Sequence, residues 1–547
     1  MRKIQILDCT LRDGGRIIDC EFPDKDIIDI NKRLAYANID IVEVGFLRDD
    51  RELSYRGNST FFTSTEQIEK IKPQGNFSTT YVAFIDYGMF NIDTLSINNG
   101  KAIDGIRLGF TKSDYLSQKE EIIRWARVIK ERGYKLFLQG VNTLGYTEEE
   151  LSEILDMVNE LKPYGFGIVD TYGAMYLEDL RQIYNIVNTR LNEEIIIDFH
   201  SHNNFQLSFA LAQEIIRLSE ETDRTLIIDA TLNGMGKCAG NLNTELIVDY
   251  LVRKKNHNYD TDAIMDLIDE YMYSLKKENS WGYSIPAMLA GIYKSHPNNI
   301  IYLTEKFRLE TKDIKFILSR MAPEERQRYN YDYIKKVYAE YNHTKVDDSK
   351  VISRLRDMFS DEEILIVMPG ATLNSHVDII NKYIDQYDPI VISINFITEF
   401  GNESKRWSFW GSPKRYKKAD LSEANQDKVI LVSNIPDELM IDKYVVNYDS
   451  LIENDNKDFD NSGIMLFNLL RKLQIQKVAV AGFDGFVKNR ENYFDENVFE
   501  GGRFAKKFEE ASDNMKQMLK KYLKSTRNEL NIDFITPSMY ESLFEEK

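Results

Sequence analysis

IQILDCTLRDGG, residues 4 to 15, is a short aliphatic run that ends abruptly in polar and charged side chains, with Asp8, Thr10, Arg12 and Asp13 crowded after the apolar stretch. Runs of this length and composition, bounded by turn residues, read as buried strands. The same grammar recurs along the first half of the chain: IDIVEVGF around Val42, STTYVAFI around Val82, GIRLGF around Ile106, KLFLQGV around Phe137, GFGIVD around Ile168, EIIIDFH around Ile197 and TLIIDAT around Ile227. The centres lie roughly 25 to 40 residues apart, the length of a strand plus a returning helix, which favours parallel strands with right-handed crossovers. The intervening stretches carry helix signals. Thr147 before Glu148 to Glu150 opens one that should run to Leu161 and stop before Pro163. Eight such units in about 240 residues predict an α/β fold of the (β/α)8 TIM-barrel kind over residues 1–260.

Beyond the barrel the pattern changes twice. Residues 261–345 are helical in pattern, including DAIMDLIDEYMYSLKK and IPAMLAGIYK, and read as an appendage. Residues 346–547 pass through a charged stretch at 347–361 into EEILIVMPG, YDPIVISINF, KVILVSNI and KVAVAGFDGF, strand-like runs of a second, open, Rossmann-like α/β domain. Residues 503–528 read as a charged carboxyl-terminal helix with a solvated face. A chain of 547 residues accommodates this division.

The net charge of −18 repels nucleic acid and anionic membrane surfaces, so a small-molecule substrate is expected. Three cysteines, Cys9, Cys20 and Cys238, without a C-x-x-C pair, argue against a disulfide framework and a structural zinc site. A cytoplasmic protein without membrane insertion is expected.

In a barrel of this kind the carboxyl ends of the strands face one shared mouth. The polar residues there are Asp8, Thr10, Arg12 and Asp13 on the first strand, Glu43 on the second, Arg107 on the fourth, Gln139 and Asn142 on the fifth, and Asp170 on the sixth. His200 and His202 end the seventh, and Asp229 and Asn233 the eighth. Spacing of two on a strand puts both imidazoles on one side of the sheet. With Asp13 across the mouth they can form a facial metal set, and mixed oxygen and imidazole donors favour Mn2+ or Mg2+. Such a cation chelates a 2-oxo acid and stabilises an enolate. Arg12 reads equally as a cation for that oxyanion and as an ion-pair partner of Glu43 or Asp170.

These motifs resemble a known family. DCTLRDGG (8–15), VEVGF (42–46), HSHNN (200–204) and GMGKCAGN (234–241) look like the aldolase branch of the DRE-TIM metallolyases, with 4-hydroxy-2-oxovalerate aldolase and HMG-CoA lyase among its members, over roughly residues 1 to 300. The resemblance implies Asp13, His200 and His202 as metal ligands, Asn241 on or near the metal, and Arg12 steadying the enolate. WGYSIPAML (281–289) is similar to the segment that brings a tyrosine toward the aldolase site, which implies Tyr283. One position departs: where the 4-hydroxy-2-oxo acid aldolases place a histidine acid/base, this chain has Arg16. Tyr283, Glu43 and a water on the metal are the alternatives. Substrate contacts are expected from Arg107, Gln139, Asp170 and Asn233. GMGKCAGN reads as a tight glycine turn over the mouth or as a phosphate loop.

The expected reaction is metal-dependent aldol cleavage or formation of a 4-hydroxy-2-oxo acid from a pyruvate-type enolate and an aldehyde, by a homo-oligomer, in surface-carbohydrate synthesis. Two rivals stand: an acyl-CoA Claisen-type synthase, and a sugar-nucleotide-binding or glycosyl-transfer protein acting through the second domain. MPGATLNS (368–375) resembles the first turn of Rossmann-like sugar-transfer domains. Asp484 is a candidate hydroxyl binder. Arg406, Trp407, Trp410, Lys414 and Arg415 are read as a basic, aromatic loop for an anionic sugar nucleotide.

Overall fold

A computed structural model describes residues 3–49, 57–73, 75, 77–306, 311–342, 346–416, 419, 428–435, 444–452, 461–485, 508–526 and 529–545. The chain divides into two compact units, Met1–Asn330 and Tyr331–Lys547. The expected helical appendage of 261–345 is thus shared: its segments up to residue 330 belong with the barrel, and the helix Tyr331–Asn342 belongs to the second unit.

The first unit is a closed parallel barrel. Its strands are β1 (Ile4–Asp8), β2 (Ile41–Leu47), β3 (Thr80–Asp86), β4 (Gly105–Phe110), β5 (Lys135–Gly140), β6 (Gly165–Asp170), β7 (Ile196–Ser201) and β8 (Leu226–Ala230). Each pairs in parallel with the next, and β1 pairs with both β2 and β8, which closes the ring. A two-residue strand, Phe61–Phe62, adds to the outer side of β2. The helices form because each has one apolar stripe to bury: Glu148–Leu161 packs Leu151, Ile154, Leu155, Val158 and Leu161 inward and begins after the expected Thr147, which forms a capping box with Glu150.

Aliphatic side chains fill most barrels of this type. Here the lining includes Glu43, Arg107, Gln139, Asp198 and Asp229, all buried. Register makes the room: Gly167 stands between Gln139 and Asp198 in the pairing, and a Cβ there would lie 1.9 Å from Gln139 Oε1.

The second unit holds an all-parallel sheet of seven strands: β9 (Ile364–Val367), β10 (Ile390–Ile394), β11 (Arg406–Trp410), β12 (Val429–Val432), β13 (Tyr444–Val446), β14 (Lys477–Ala481) and β15 (Asn531–Phe534). Their order is β13-β12-β11-β10-β9-β14-β15, so the winding reverses between β9 and β14. The charged stretch expected at 347–361 is the amphipathic helix Ser349–Phe359, which buries Leu355 and Phe359. The carboxyl-terminal helix is described over Phe508–Thr526; 503–507, 527 and 528 lie outside the described residues. Among the described residues no helix is long and apolar enough to cross a membrane.

Candidate metal centre at the barrel mouth

The turn after β1 sets the first ligand. The amides of Arg12, Asp13 and Gly14 all donate to Cys9 O, at 3.1, 2.9 and 3.2 Å, folding the chain back over the strand end so that Asp13 faces the barrel axis. Across the mouth, β7 delivers His200, and His202 follows one residue beyond the strand. Their Nε2 atoms lie 3.4 Å apart, and Asp13 Oδ2 lies 3.8 Å from His200 Nε2 and 3.5 Å from His202 Nε2. These three donor atoms form a closed triangle of the size a single cation spans.

The fourth contributor comes from GMGKCAGN, which adopts the tight-turn reading. Gly240 has φ +79°, and a Cβ on it would lie 1.9 Å from Gly234 O, so only glycine fits. The turn pins Asn241 against His202 in an antiparallel bridge. Asn241 Nδ2 donates to Asp13 Oδ2 at 3.0 Å and to Met235 O at 2.9 Å, while its buried Oδ1 has no hydrogen-bond partner. An orphaned buried carbonyl is costly, and a cation beside it would satisfy it. The residues therefore fit a divalent ion.

Their protonation states fit as well. Burial drives both imidazoles neutral, against the pull of Asp13, to about 4 for His200 and about 4 for His202. Burial pushes Asp13 upward, but Arg12, the two histidines and Arg16 together hold its carboxyl far below the usual range. The triad thus presents one carboxylate and two lone pairs at neutral pH. His200 Nδ1 meets Asp229 Oδ2 at 2.9 Å, a pairing that with an ionised Asp229 favours the proton on Nδ1 and leaves Nε2 free to ligate. We expect Asp229→Asn to weaken manganese binding about 10- to 100-fold, read by isothermal titration calorimetry, because the amide can hold the wrong tautomer. Unchanged affinity would remove Asp229 from this role. Affinity should also stay nearly flat from neutral pH down to about 5 and fall as pH approaches the histidine values, since protons compete only there.

Arg12 lies inside this frame. Its Nε donates to Glu43 Oε2 at 2.5 Å and its NH1 to Asp13 Oδ1 at 2.7 Å, with the guanidinium 4.5 Å from the Phe84 ring centroid. Glu43, expected as a catalytic group, is fully buried between Arg12 and Arg107, so its geometry is that of a brace between two guanidiniums.

Several expected substrate contacts lie elsewhere. Arg107 is 1% exposed and pairs with Glu43 at 3.1 Å, Asp198 at 2.7 Å and Asp229 at 2.6 Å; Gln139 donates to the same Asp198 oxygen at 2.6 Å. Both are engaged below the mouth. Asp170 accepts from the amides of Ala174 and Met175 at 2.9 and 3.2 Å and locks its own loop, with burial raising its carboxyl to about 7. Asn233, at φ +52°, binds Glu245 through its backbone amide and the Trp281 indole through its backbone carbonyl, while its buried side-chain Nδ2 has no hydrogen-bond partner. Tyr283 is 58% exposed, its hydroxyl 3.9 Å from Met288 Sδ, and no contact with Asp13 or the histidines is recorded among the described residues. Asp198 was missed, although its spacing of two from His200 is the signal that paired the histidines.

In the second unit, Met368 and Gly370 amides bond to Ala481 and Gly482 carbonyls at 2.8 and 2.9 Å, joining the loops after β9 and β14. Asp484 lies at this junction and accepts from the Thr372 amide at 2.7 Å and from the Thr372 hydroxyl. The basic, aromatic stretch is not a loop. Residues 406–410 are β11, with Trp407 and Trp410 buried, the latter donating to Ser408 Oγ at 2.9 Å, and Arg406 holds Gly401 O at 2.7 Å.

Residues 90–270 match the family model described as HMGL-like. The chain is 25% identical over 327 residues to a 4-hydroxy-2-oxovalerate aldolase of Pelotomaculum thermopropionicum, covering 58% of this chain and 91% of that one. It is 26% identical over 266 residues to a 2-isopropylmalate synthase of Saccharolobus solfataricus, covering 48% of this chain and 65%, under two thirds, of the synthase. Among solved structures, an HMG-CoA lyase from Brucella melitensis aligns with a TM-score of 0.40 at 16% identity, over 50% of this chain and 98% of that one.

Proposed function

Since this chain belongs to the DRE-TIM metallolyase superfamily, we propose that its barrel is a divalent-metal-dependent aldolase that forms or cleaves a 4-hydroxy-2-oxo acid. The observation that carries this reading is the convergence of Asp13 Oδ2 and the two histidine Nε2 atoms beside the unsatisfied Asn241 Oδ1. A bound cation, manganese or magnesium by its donors, would supply the Lewis acid that grips a 2-oxo acid and stabilises enolate charge.

The chain's own groups do the rest. Arg12 is held by Glu43 and Asp13 so that its remaining N–H groups are preorganised for a developing oxyanion, with no rearrangement when charge appears. Glu43 and Arg107 brace that arm from below, and Asp229 braces the histidine arm. One buried ion network therefore fixes both sides of the site.

The test is methyl proton–deuterium exchange of pyruvate by the purified full chain, with and without manganese and in the absence of coenzyme A. Metal-dependent exchange is expected. Exchange that requires coenzyme A favours the synthase reading, and no exchange under either condition rejects the aldolase. The reversal of winding between β9 and β14 favours a ligand site in the second unit as well, because parallel sheets of this kind bind ligands at that point. We assign to that unit the carbohydrate or sugar-nucleotide partner, to be read by thermal shift against a nucleotide panel.

A further inference from the structure

Two cations at the barrel mouth lack a carboxylate of their own. Arg16 reaches Asp13 Oδ1 and Asp86 Oδ2, each at 3.5 Å. Both oxygens already have nearer guanidiniums: Arg12 at 2.7 Å on Asp13 and Arg48 at 3.1 Å on Asp86. The Arg16 guanidinium lies 4.6 Å from the Phe46 ring centroid, which covers one face, and the side chain keeps 36% of its exposure. It is a positioned, partly open cation with spare donors.

Lys237, in the turn that carries Asn241, is the second. Its Nζ donates to the neutral Asn298 Oδ1 at 2.9 Å, and among the described residues no carboxylate lies within 4.0 Å of it. Asn298 is itself held by its amide, which donates to His296 Nδ1 at 3.1 Å. The segments that carry the two cations pack together, since a Cβ on Gly14 would lie 3.4 Å from Met235 Cβ; burial, and next the charge of Arg16, lower the pKa of the half-buried lysine against the opposing pull of the more distant Asp19 and Asp13. A desolvated ammonium without a counter-ion is unfavourable, and an incoming anion relieves it.

The two faces of Asp13 place Arg16 relative to the metal centre. Oδ2 faces the imidazoles, whereas Oδ1 faces Arg12 and Arg16. An anion on Arg16 is therefore beside the metal centre but off the ligand triangle. We propose that Arg16 and Lys237 form an anion-binding subsite that selects an aldehyde partner bearing a carboxylate or phosphate group. The aldehyde identity rests on the aldolase reading; the anion binding does not. At the position where the resembling aldolases carry an acid/base histidine, this chain thus carries a specificity-determining cation.

The first measurement needs no turnover. The full chain, supplied with manganese and with oxalate to fill the keto-acid position, is titrated with inorganic phosphate and with succinate by calorimetry, alongside Arg16→Gln and Lys237→Met. Wild type is expected to bind at least one anion, and each substitution to weaken it on the order of ten-fold or more, the size of one charge-assisted hydrogen bond. Which anion binds distinguishes phosphate from carboxylate recognition. The second measurement compares pyruvate condensation with glyceraldehyde 3-phosphate, succinic semialdehyde and propanal. The charged aldehydes should be preferred, with the preference lost through KM in either variant. Binding of neither anion by wild type, or affinities untouched by both substitutions, overturns the subsite. If pyruvate exchange is present but anion binding is absent, the subsite falls alone; if anions bind through Arg16 and Lys237 but exchange is absent, the aldolase reading falls alone.

Discussion

Asp13→Ala is expected to weaken manganese binding by about 100-fold or more and to abolish metal-dependent exchange of pyruvate, while leaving the barrel folded. The carboxylate is the one anionic donor of the triangle, and it also balances Arg12 and Arg16. Without it a dication would face two neutral imidazoles with two guanidiniums close by, and that field opposes binding. Arg12 keeps its contact with Glu43, so the buried network is not left open. Calorimetry with manganese, the far-ultraviolet circular dichroism spectrum and the exchange assay together read the outcome. Native-like affinity in a folded Asp13→Ala protein would place the metal, and with it the chemistry, elsewhere.

Arg107→Leu should destabilise the barrel unit by roughly 3–5 kcal/mol, the usual cost of removing one partner from a buried ion cluster. It is the shared cation of Glu43, Asp198 and Asp229 and is itself 1% exposed. The pH dependence has a definite sign. Burial raises Asp198 to about 7 even with Arg107 present, so the folded state holds a proton that the unfolded state releases at lower pH. A raised acid contributes stability at low pH that declines as pH rises from the unfolded value toward the folded one. Removing the arginine raises the folded values further, so the loss should be larger at pH 8 than at pH 5. Urea unfolding of the full chain, followed on the barrel transition at both values, checks this; an equal loss would mean the cluster is already neutralised by protons.

The same network shows where reading the chain succeeds and where it stops. HSHNN and DCTLRDGG announce three candidate metal donors because each comes at the end of an apolar strand run, and parallel strands bring such ends to one mouth. GMGKCAGN announces Asn241 by resemblance, yet only the Gly240 turn shows how that amide is carried back to His202. Arg107 and Gln139, expected as substrate contacts, are engaged with buried carboxylates instead, for a reason of depth. Alternation says which side of a strand a residue faces, whereas its layer along the barrel axis depends on stagger and on which neighbour is glycine. RWSFW, residues 406–410, reads as a binding loop by its basic and aromatic composition. The buried Trp407 and Trp410 instead hold β11 in a sheet interior.

By itself the sequence determined that the first half is a barrel of eight strands, that Asp13, His200 and His202 end strands whose tips must meet, and that Arg16 stands where an imidazole was expected. The first two follow from local periodicity and from the fixed geometry of parallel strands, and the third is what the resemblance implies. The tertiary structure alone decided that Glu43 and Arg107 brace the site from inside, that Asp229 sets the His200 tautomer, and that Lys237 and Arg16 share the mouth without carboxylates of their own. Pairings of that kind join residues tens to hundreds of positions apart, and their distances depend on how all eight strands close, which no local pattern encodes.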